Sequence, residues 1–191
     1  IRVWATPIRV VSTGRRRLSS VEGLKSDIAS GKGPANGGQF VCSLVSRLSD
    51  FMGEAVEELE NRLEEAEQRI SETQAIARHS PFSQLRRQCA RLRRYLGPQR
   101  DALEQLLRAP GELLGPEEVT ALREEANRLT LILEDLDLVR ERAMVAQEEF
   151  LGIMAHEQNA RMLLLSIVAA VFLPLSFVTG LMGMNVAGLP G

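Results

Sequence analysis

The sequence predicts an α+β chain that is predominantly α-helical: a remnant of an α/β domain, then antiparallel long helices, then a long stalk helix that continues into a transmembrane helix. Three observations predict it. Apolar residues recur at three- and four-residue intervals through most of the chain, the signature of helices with one buried side. Only the first 13 residues alternate in the manner of strands. From Met162 to Gly191 no residue is charged, and Met162 to Met182 gives 21 largely apolar residues, about 31 Å of helix and enough to cross a bilayer core.

The elements follow in chain order. Val3, Ile8, Val10 and Val11, interrupted at Ala5-Thr6-Pro7, suggest a hairpin or two edge strands. Two strands are marginal alone, so they are expected to belong to a larger sheet. Ser19 and Glu22 have capping-box spacing ahead of Val21, Leu24 and Ile28, and Gly31 is placed to end that short helix. A turn-rich connector runs from Gly31 to Gly38. The next helix carries Val45, Met52, Val56, Leu59, Leu63, Ala66, Ile70 and Ala77 on a 3-4 repeat. His79-Ser80-Pro81 is read as the turn of an antiparallel pair. The returning helix carries Leu85, Cys89, Leu92, Leu96, Leu103 and Leu106 across Gly97-Pro98, where a bend is expected.

These two helices differ sharply in charge. Between Glu54 and Glu72 stand eight glutamates, and between Arg86 and Arg100 six arginines and no acid. Folding back at Pro81 is expected to set one against the other, where the charges choose partner and register more than they stabilise. After Pro110-Gly111 and Gly115-Pro116, helical patterning restarts with Glu117 and Glu118 in the first turn. It carries Val119, Leu122, Ala126, Leu129, Leu133, Leu136, Ala143 and Phe150 straight into the uncharged tail, so one helix is expected from near Glu117 into the membrane.

Composition excludes more than it assigns. The net charge of −2 comprises 23 basic and 25 acidic side chains, and no general nucleic-acid surface stands out. Two cysteines, Cys42 and Cys89, are too few for a disulfide framework, lack metal-ligand spacing, and sit at apolar helix positions. No nucleophile–base constellation or phosphate loop marks an enzyme. The chain opens at Ile1 inside a strand pattern and stops just after the apolar segment, so both ends read as cut points of a longer protein.

Within the span, Asn159, Met162, Ser166, Ala169, Leu173, Ser176, Gly180 and Met184 keep to one side of the helix, and Leu164, Val168, Val171, Leu175, Val178 and Met182 to the other. A stripe of small and polar residues is either a helix-packing face or a pore lining. Pro174 removes one backbone donor in mid-span, which neighbours or water must offset. Arg140, Arg142 and Arg161 precede the span, which favours a cytosolic location for the part before it.

The run Leu173-Pro174-Leu175-Ser176-Phe177-Val178-Thr179-Gly180-Leu181-Met182-Gly183-Met184-Asn185 resembles the end of the first transmembrane helix of the CorA superfamily, whose hallmark is Gly-Met-Asn. Val186-Ala187-Gly188-Leu189-Pro190-Gly191 and the upstream Arg93-Arg94-Tyr95-Leu96-Gly97-Pro98-Gln99-Arg100-Asp101 are similar to its zinc-transporting, ZntB-type branch. Ala187 replaces a common glycine, and Met182 stands where magnesium-transporting members often carry tyrosine.

The resemblance implies a homopentamer in the bacterial cytoplasmic membrane. Residues 1–110 would belong to the cytosolic α/β domain with its helix hairpin, 111–161 to the stalk, 162–185 to the first membrane span, and 186–191 to the start of an external loop. A second membrane helix would follow. It further implies that Asn159, Leu165, Leu173, Ser176 and Gly180 line the pore, and that Gly183, Met184 and Asn185 form the selectivity site, with Asn185 meeting a hydrated cation. The partners are then other copies of the chain and the lipid bilayer, with no nucleic acid. No cofactor is expected beyond the transported divalent cation, Zn²⁺ by branch and Mg²⁺ or Co²⁺ as the alternative. A membrane-anchored coiled-coil scaffold is the remaining alternative.

Overall fold

The computed structural model describes residues 2–14, 18–72 and 80–183. A two-stranded sheet and four helices follow one another as β1 (Arg2–Ala5), β2 (Val10–Thr13), α1 (Ser19–Ala29), α2 (Gly37–Glu72), α3 (Phe82–Arg108) and α4 (Pro116–Gly183). The predominantly helical α+β class is therefore the observed one. The chain forms two compact units, Ile1–Ala146 and Gln147–Gly191.

β1 and β2 make an antiparallel hairpin, with Arg2 opposite Thr13 and Ala5 opposite Val10. Its turn is closed by the Thr6 amide donating to the Arg9 carbonyl at 2.8 Å and by the Thr6 hydroxyl donating to the same oxygen at 3.0 Å. α1 ends at Gly31, whose φ of 72° only glycine adopts cheaply. The Gly31 amide bonds the Ile28 carbonyl and the Lys32 amide the Asp27 carbonyl, a full Schellman closure.

The capping box expected at Ser19 does not form. α1 starts one residue earlier in register: Leu18 is the N-cap, no side chain caps it, and Glu22 instead pairs with Lys25 at 3.2 Å. The working cap lies at α2. There the Gln39 amide donates to Asn36 Oδ1 at 2.7 Å, and the Ala35 amide to Gln39 Oε1 at 3.0 Å.

The start of α2 sits so close to the hairpin that a Cβ on Gly37 would lie 2.0 Å from the Thr6 carbonyl oxygen. The Gly37 amide donates to the Pro7 carbonyl at 3.0 Å. Glycine is required here by close backbone approach, and this contact locks the hairpin to the helical bundle.

α2, α3 and α4 share one apolar core. Val56, Leu59 and Leu63 of α2, Leu85, Cys89 and Leu96 of α3, and Leu122, Leu129, Leu136 and Ala143 of α4 are all buried. Most of them fall on the 3-4 repeats of the sequence. Ala77 and His79 lie outside the described residues. α3 continues as helix across Gly97-Pro98.

Polar contacts set the helix directions. Cys42 of α2 donates to the Glu118 carbonyl at 3.6 Å, Asp50 pairs with Arg128 at 2.6 Å, and Glu60 and Glu67 pair with Arg142 at 3.4 and 2.9 Å. Partner numbers rise together, so α2 and α4 run parallel, with α3 returning between them in sequence. The charge split was expected to join α2 to α3. Among the described residues no ion pair does so; Arg62 donates instead to the neutral Gln88 at 3.0 Å. The acids of α2 meet arginines of α4, and Arg93 of α3 pairs with Asp137 of α4. Apolar packing fixes the α2–α3 register, which leaves the charges free to reach the third helix.

Burial pushes the thiol pKa of both cysteines up, for Cys42 with the charge of Glu118 as the next cause. Both are held as thiols; Cys89 is a small core residue, and Cys42 is partly buried beside Glu118.

Replacing Gly37 with alanine is expected to lower unfolding stability by about 1–3 kcal/mol through overpacking. Gly97→Ala, whose Cβ meets nothing within 4 Å, should be neutral or up to about 1 kcal/mol stabilising. Thermal unfolding of both variants by circular dichroism checks this; equal effects would contradict the hairpin lock.

Candidate functional site

The first turn of α4 carries Glu117 and Glu118 at its positive end. The Val119 amide starts the ladder by donating to the Gly115 carbonyl at 3.0 Å. The last part of the same helix is different in kind. An 18-residue window there has a mean hydropathy of 2.4, and none of it is buried within the chain. Leu165 is 69% exposed and Leu173 70% exposed. A fully exposed, uncharged apolar helix of this length is unstable in water and suits a bilayer, where a helix satisfies its own backbone.

The hydroxyls of this tail divide into two groups. Ser166 donates to the Met162 carbonyl at 2.9 Å, and Thr179 to the Leu175 and Ser176 carbonyls at 3.0 and 3.1 Å. These groups are satisfied inside the helix and tolerate an apolar surrounding. The side chains of Asn159 and Ser176 make no hydrogen bond to any other described residue. They stay available to water, an ion or another chain.

All the expected site residues up to Gly183 lie on α4 and are exposed: Asn159, Leu165, Leu173, Ser176, Gly180 and Gly183. At about 100° per residue, the stripe from Asn159 to Gly180 occupies a sector of about 120°, with Leu165 at its edge. Val168, Val171 and Leu175 stand opposite. A Cβ on Gly180 or Gly183 would meet nothing within 4 Å, so neither glycine is needed for contacts within this chain. Met184 and Asn185, the other two positions expected at the selectivity site, lie outside the described residues.

Just ahead of the uncharged segment Glu157 pairs with Arg161 at 3.3 Å. Its neighbour His156 makes no such contact among the described residues.

Elsewhere an open cleft of about 400 Å³ lies between α1, α2 and the start of α4, lined in part by Asp27, Lys32, Cys42, Arg47 and Glu118. Sequence reasoning did not find it, because its walls come from three elements with no shared motif. Asp27 and Arg47 pair across it and neutralise each other. Among the described residues no three His, Cys, Asp or Glu side chains are placed to hold a metal ion together.

A helical bundle whose last helix ends in an exposed, uncharged, membrane-length segment defines a membrane-associated protein with a sizeable unit outside the lipid. The chain belongs to the CorA-like Mg²⁺ transporter protein family, whose profile matches residues 1–191. It is 36% identical over 191 residues to the zinc transport protein ZntB of Yersinia enterocolitica, covering all of this chain and 58% of that protein. It is 39% identical over 195 residues to the divalent cation transporter CmaX of Pseudomonas aeruginosa, again covering 58% of the relative. The structure of full-length CmaX superposes with a TM-score of 0.86 at 38% identity, over 99% of this chain and 58% of that one. The CorA magnesium transporter of Methanocaldococcus jannaschii shares the fold, with a TM-score of 0.73 at 20% identity over 92% of this chain and 56% of that one. The chain thus spans somewhat over half the length of the relatives it matches.

Placing a charge at mid-span opposite the stripe should disrupt membrane insertion. Val171→Arg is expected to cost about 2.5–3.5 kcal/mol in a translocon insertion assay, whereas Ser176→Ala should insert as the unaltered segment does. Equal insertion of the arginine variant would contradict the membrane assignment.

Proposed function

We propose that this chain supplies the pore-lining helix, and the adjoining cytosolic bundle, of a homo-oligomeric divalent-cation transporter in the bacterial cytoplasmic membrane. Zinc is the favoured cargo and a pentamer the assembly that the family resemblance implies. The observation that carries the reading is the end of α4: an unengaged Asn159 just ahead of the uncharged segment and an unengaged Ser176 within it share one sector, and the sequence continues into Gly183-Met184-Asn185.

One chain offers an ion too few ligands. A single asparagine and a few carbonyl oxygens cannot replace a hydration shell, but a symmetric ring of them lines a path. Such oxygens suit a hard, hydrated cation. From Met162 to Gly191 there is no His, Cys, Asp or Glu, so this segment supplies no nitrogen, thiolate or carboxylate ligand for tight zinc binding. Zinc would cross it largely hydrated, held by outer-sphere contacts.

The resemblance to the ZntB-type branch also implies proton coupling as a drive for transport, and the same inventory bears on it. No group inside the span titrates near neutral pH, so a proton relay through this helix has no carrier there. Just ahead of the span Glu157 is held by Arg161, and any coupling group would have to lie outside residues 162–191. The magnesium and cobalt reading is favoured by the lack of thiolate, imidazole and carboxylate ligands from Met162 to Gly191, where only the methionine thioethers are soft, and differs in cargo, not in architecture.

Full-length protein reconstituted in liposomes with a zinc-sensitive dye tests this. Zinc influx is expected, with a fall of about tenfold or more for Asn185→Ala as the ring of amide oxygens is removed. An assembled oligomer that passes no divalent cation would overturn the transport reading. Unimpaired flux in Asn185→Ala would overturn the role given to the signature.

A further inference from the structure

Several faces of the Ile1–Ala146 unit carry charges that nothing in the described chain answers, among them Glu54, Glu57, Glu58 and Glu64 of α2; on two others, on α3 and α4, the charges sit beside exposed apolar or aromatic side chains at matching spacing. On α3, Arg87, Arg91 and Arg94 lie opposite the buried positions Leu85, Cys89 and Leu96. They are exposed, and none makes an ion pair or hydrogen bond to another described residue. Tyr95 beside them is 60% exposed. On α4, Leu131, Leu138 and Val145 recur every seventh residue on the side away from the core and are 60%, 54% and 62% exposed. Between them stand the exposed Glu134, Asp135 and Glu141, also without an ion pair among the described residues.

The two faces match each other better than either matches itself. Each presents three charges over a seven-residue interval, about 10 Å of helix. Either face laid on its own copy sets like charges together, which is unfavourable in a desolvating contact. Arginine on carboxylate is favourable there, and the arginine stems with Tyr95 can cover the leucine stripe.

We infer that the arginine face of α3 on one copy docks on the leucine and carboxylate face of α4 on a second copy of this chain. This rests on the homo-oligomeric reading above and adds to it which surfaces meet. A contact between two different faces leaves one of each free, and only a closed ring satisfies them all.

Crosslinking of the full-length protein in membranes tests this. An Arg91→Cys chain and a Leu138→Cys chain, carrying different tags, are co-expressed and treated with a short bifunctional maleimide. Each chain expressed alone controls for native thiols. A product carrying both tags is expected, absent from either chain alone. In parallel, Arg87→Glu with Arg91→Glu should weaken association about tenfold, as like charges replace opposite ones. Adding Glu134→Arg with Glu141→Arg in the same chain should restore it, with circular dichroism unchanged throughout.

Self-crosslinking of Leu138→Cys alone would overturn the inference, because the stripe would then meet its own copy. An oligomer of unchanged mass without the mixed product would also overturn it, another part of the chain or another molecule then covering the stripe, and would leave the pore reading standing. A monomeric unaltered protein would overturn both.

Discussion

Everything in this chain is organised around a stretch of helix that has no place in water. Residues 162–183 carry no charge and bury nothing against the rest of the described chain. Their leucines, valines and phenylalanines need an apolar phase from outside, and a bilayer supplies it. The bilayer in turn permits little irregularity of backbone. Helix is the conformation that pairs the backbone donors and acceptors, save the one carbonyl that Pro174 leaves without a donor, and Ser166 and Thr179 fold their hydroxyls back onto that same ladder. Asn159 and Ser176 do not, which singles them out on the sector where the small residues gather.

The bundle before the membrane solves an ordinary problem by ordinary means. Three amphipathic helices bury leucines on repeats close to those of a coiled coil, and the tight approach of Gly37 to the hairpin attaches the strands. Its ion pairs are half-exposed and contribute modestly to stability. Their value is directional: Asp50–Arg128 and Glu60–Arg142 hold α2 parallel to α4 in one register. Among the charges that no described residue pairs are Arg87, Arg91 and Arg94 on α3 and Glu134, Asp135 and Glu141 on α4, the groups inferred to meet between copies.

Much of this was legible from periodicity. The long helices, the single run of α4 from Pro116 and the apolar tail follow from residue spacing alone, because burial on one side of a helix writes itself at three- and four-residue intervals. Local signals were less dependable. Ser19 and Glu22 have the spacing of a capping box, yet Leu18 is the N-cap, Ser19 is already helical and the spacing goes unused; Asn36 and Gln39, hidden among glycines, form the working cap. The acidic run of α2 and the basic run of α3 suggested a pair, but sequence does not say which third helix lies within reach. For the site, the stripe of Asn159, Leu173, Ser176 and Gly180 could be read from the sequence. Its meaning could not, since pore lining and helix packing select the same small residues.

The central claim is that this stripe faces water inside an assembly while the opposite side of the helix faces lipid or protein. Cysteines placed singly along α4 of the full-length protein in membranes, probed with a charged, membrane-impermeant thiol reagent, test it most directly. The account predicts rapid modification at positions 159, 166, 173, 176 and 180, slowed by divalent cations, and little at 164, 168, 171, 175 and 178. Uniform protection along the whole span, or reactivity confined to the second set, would contradict it.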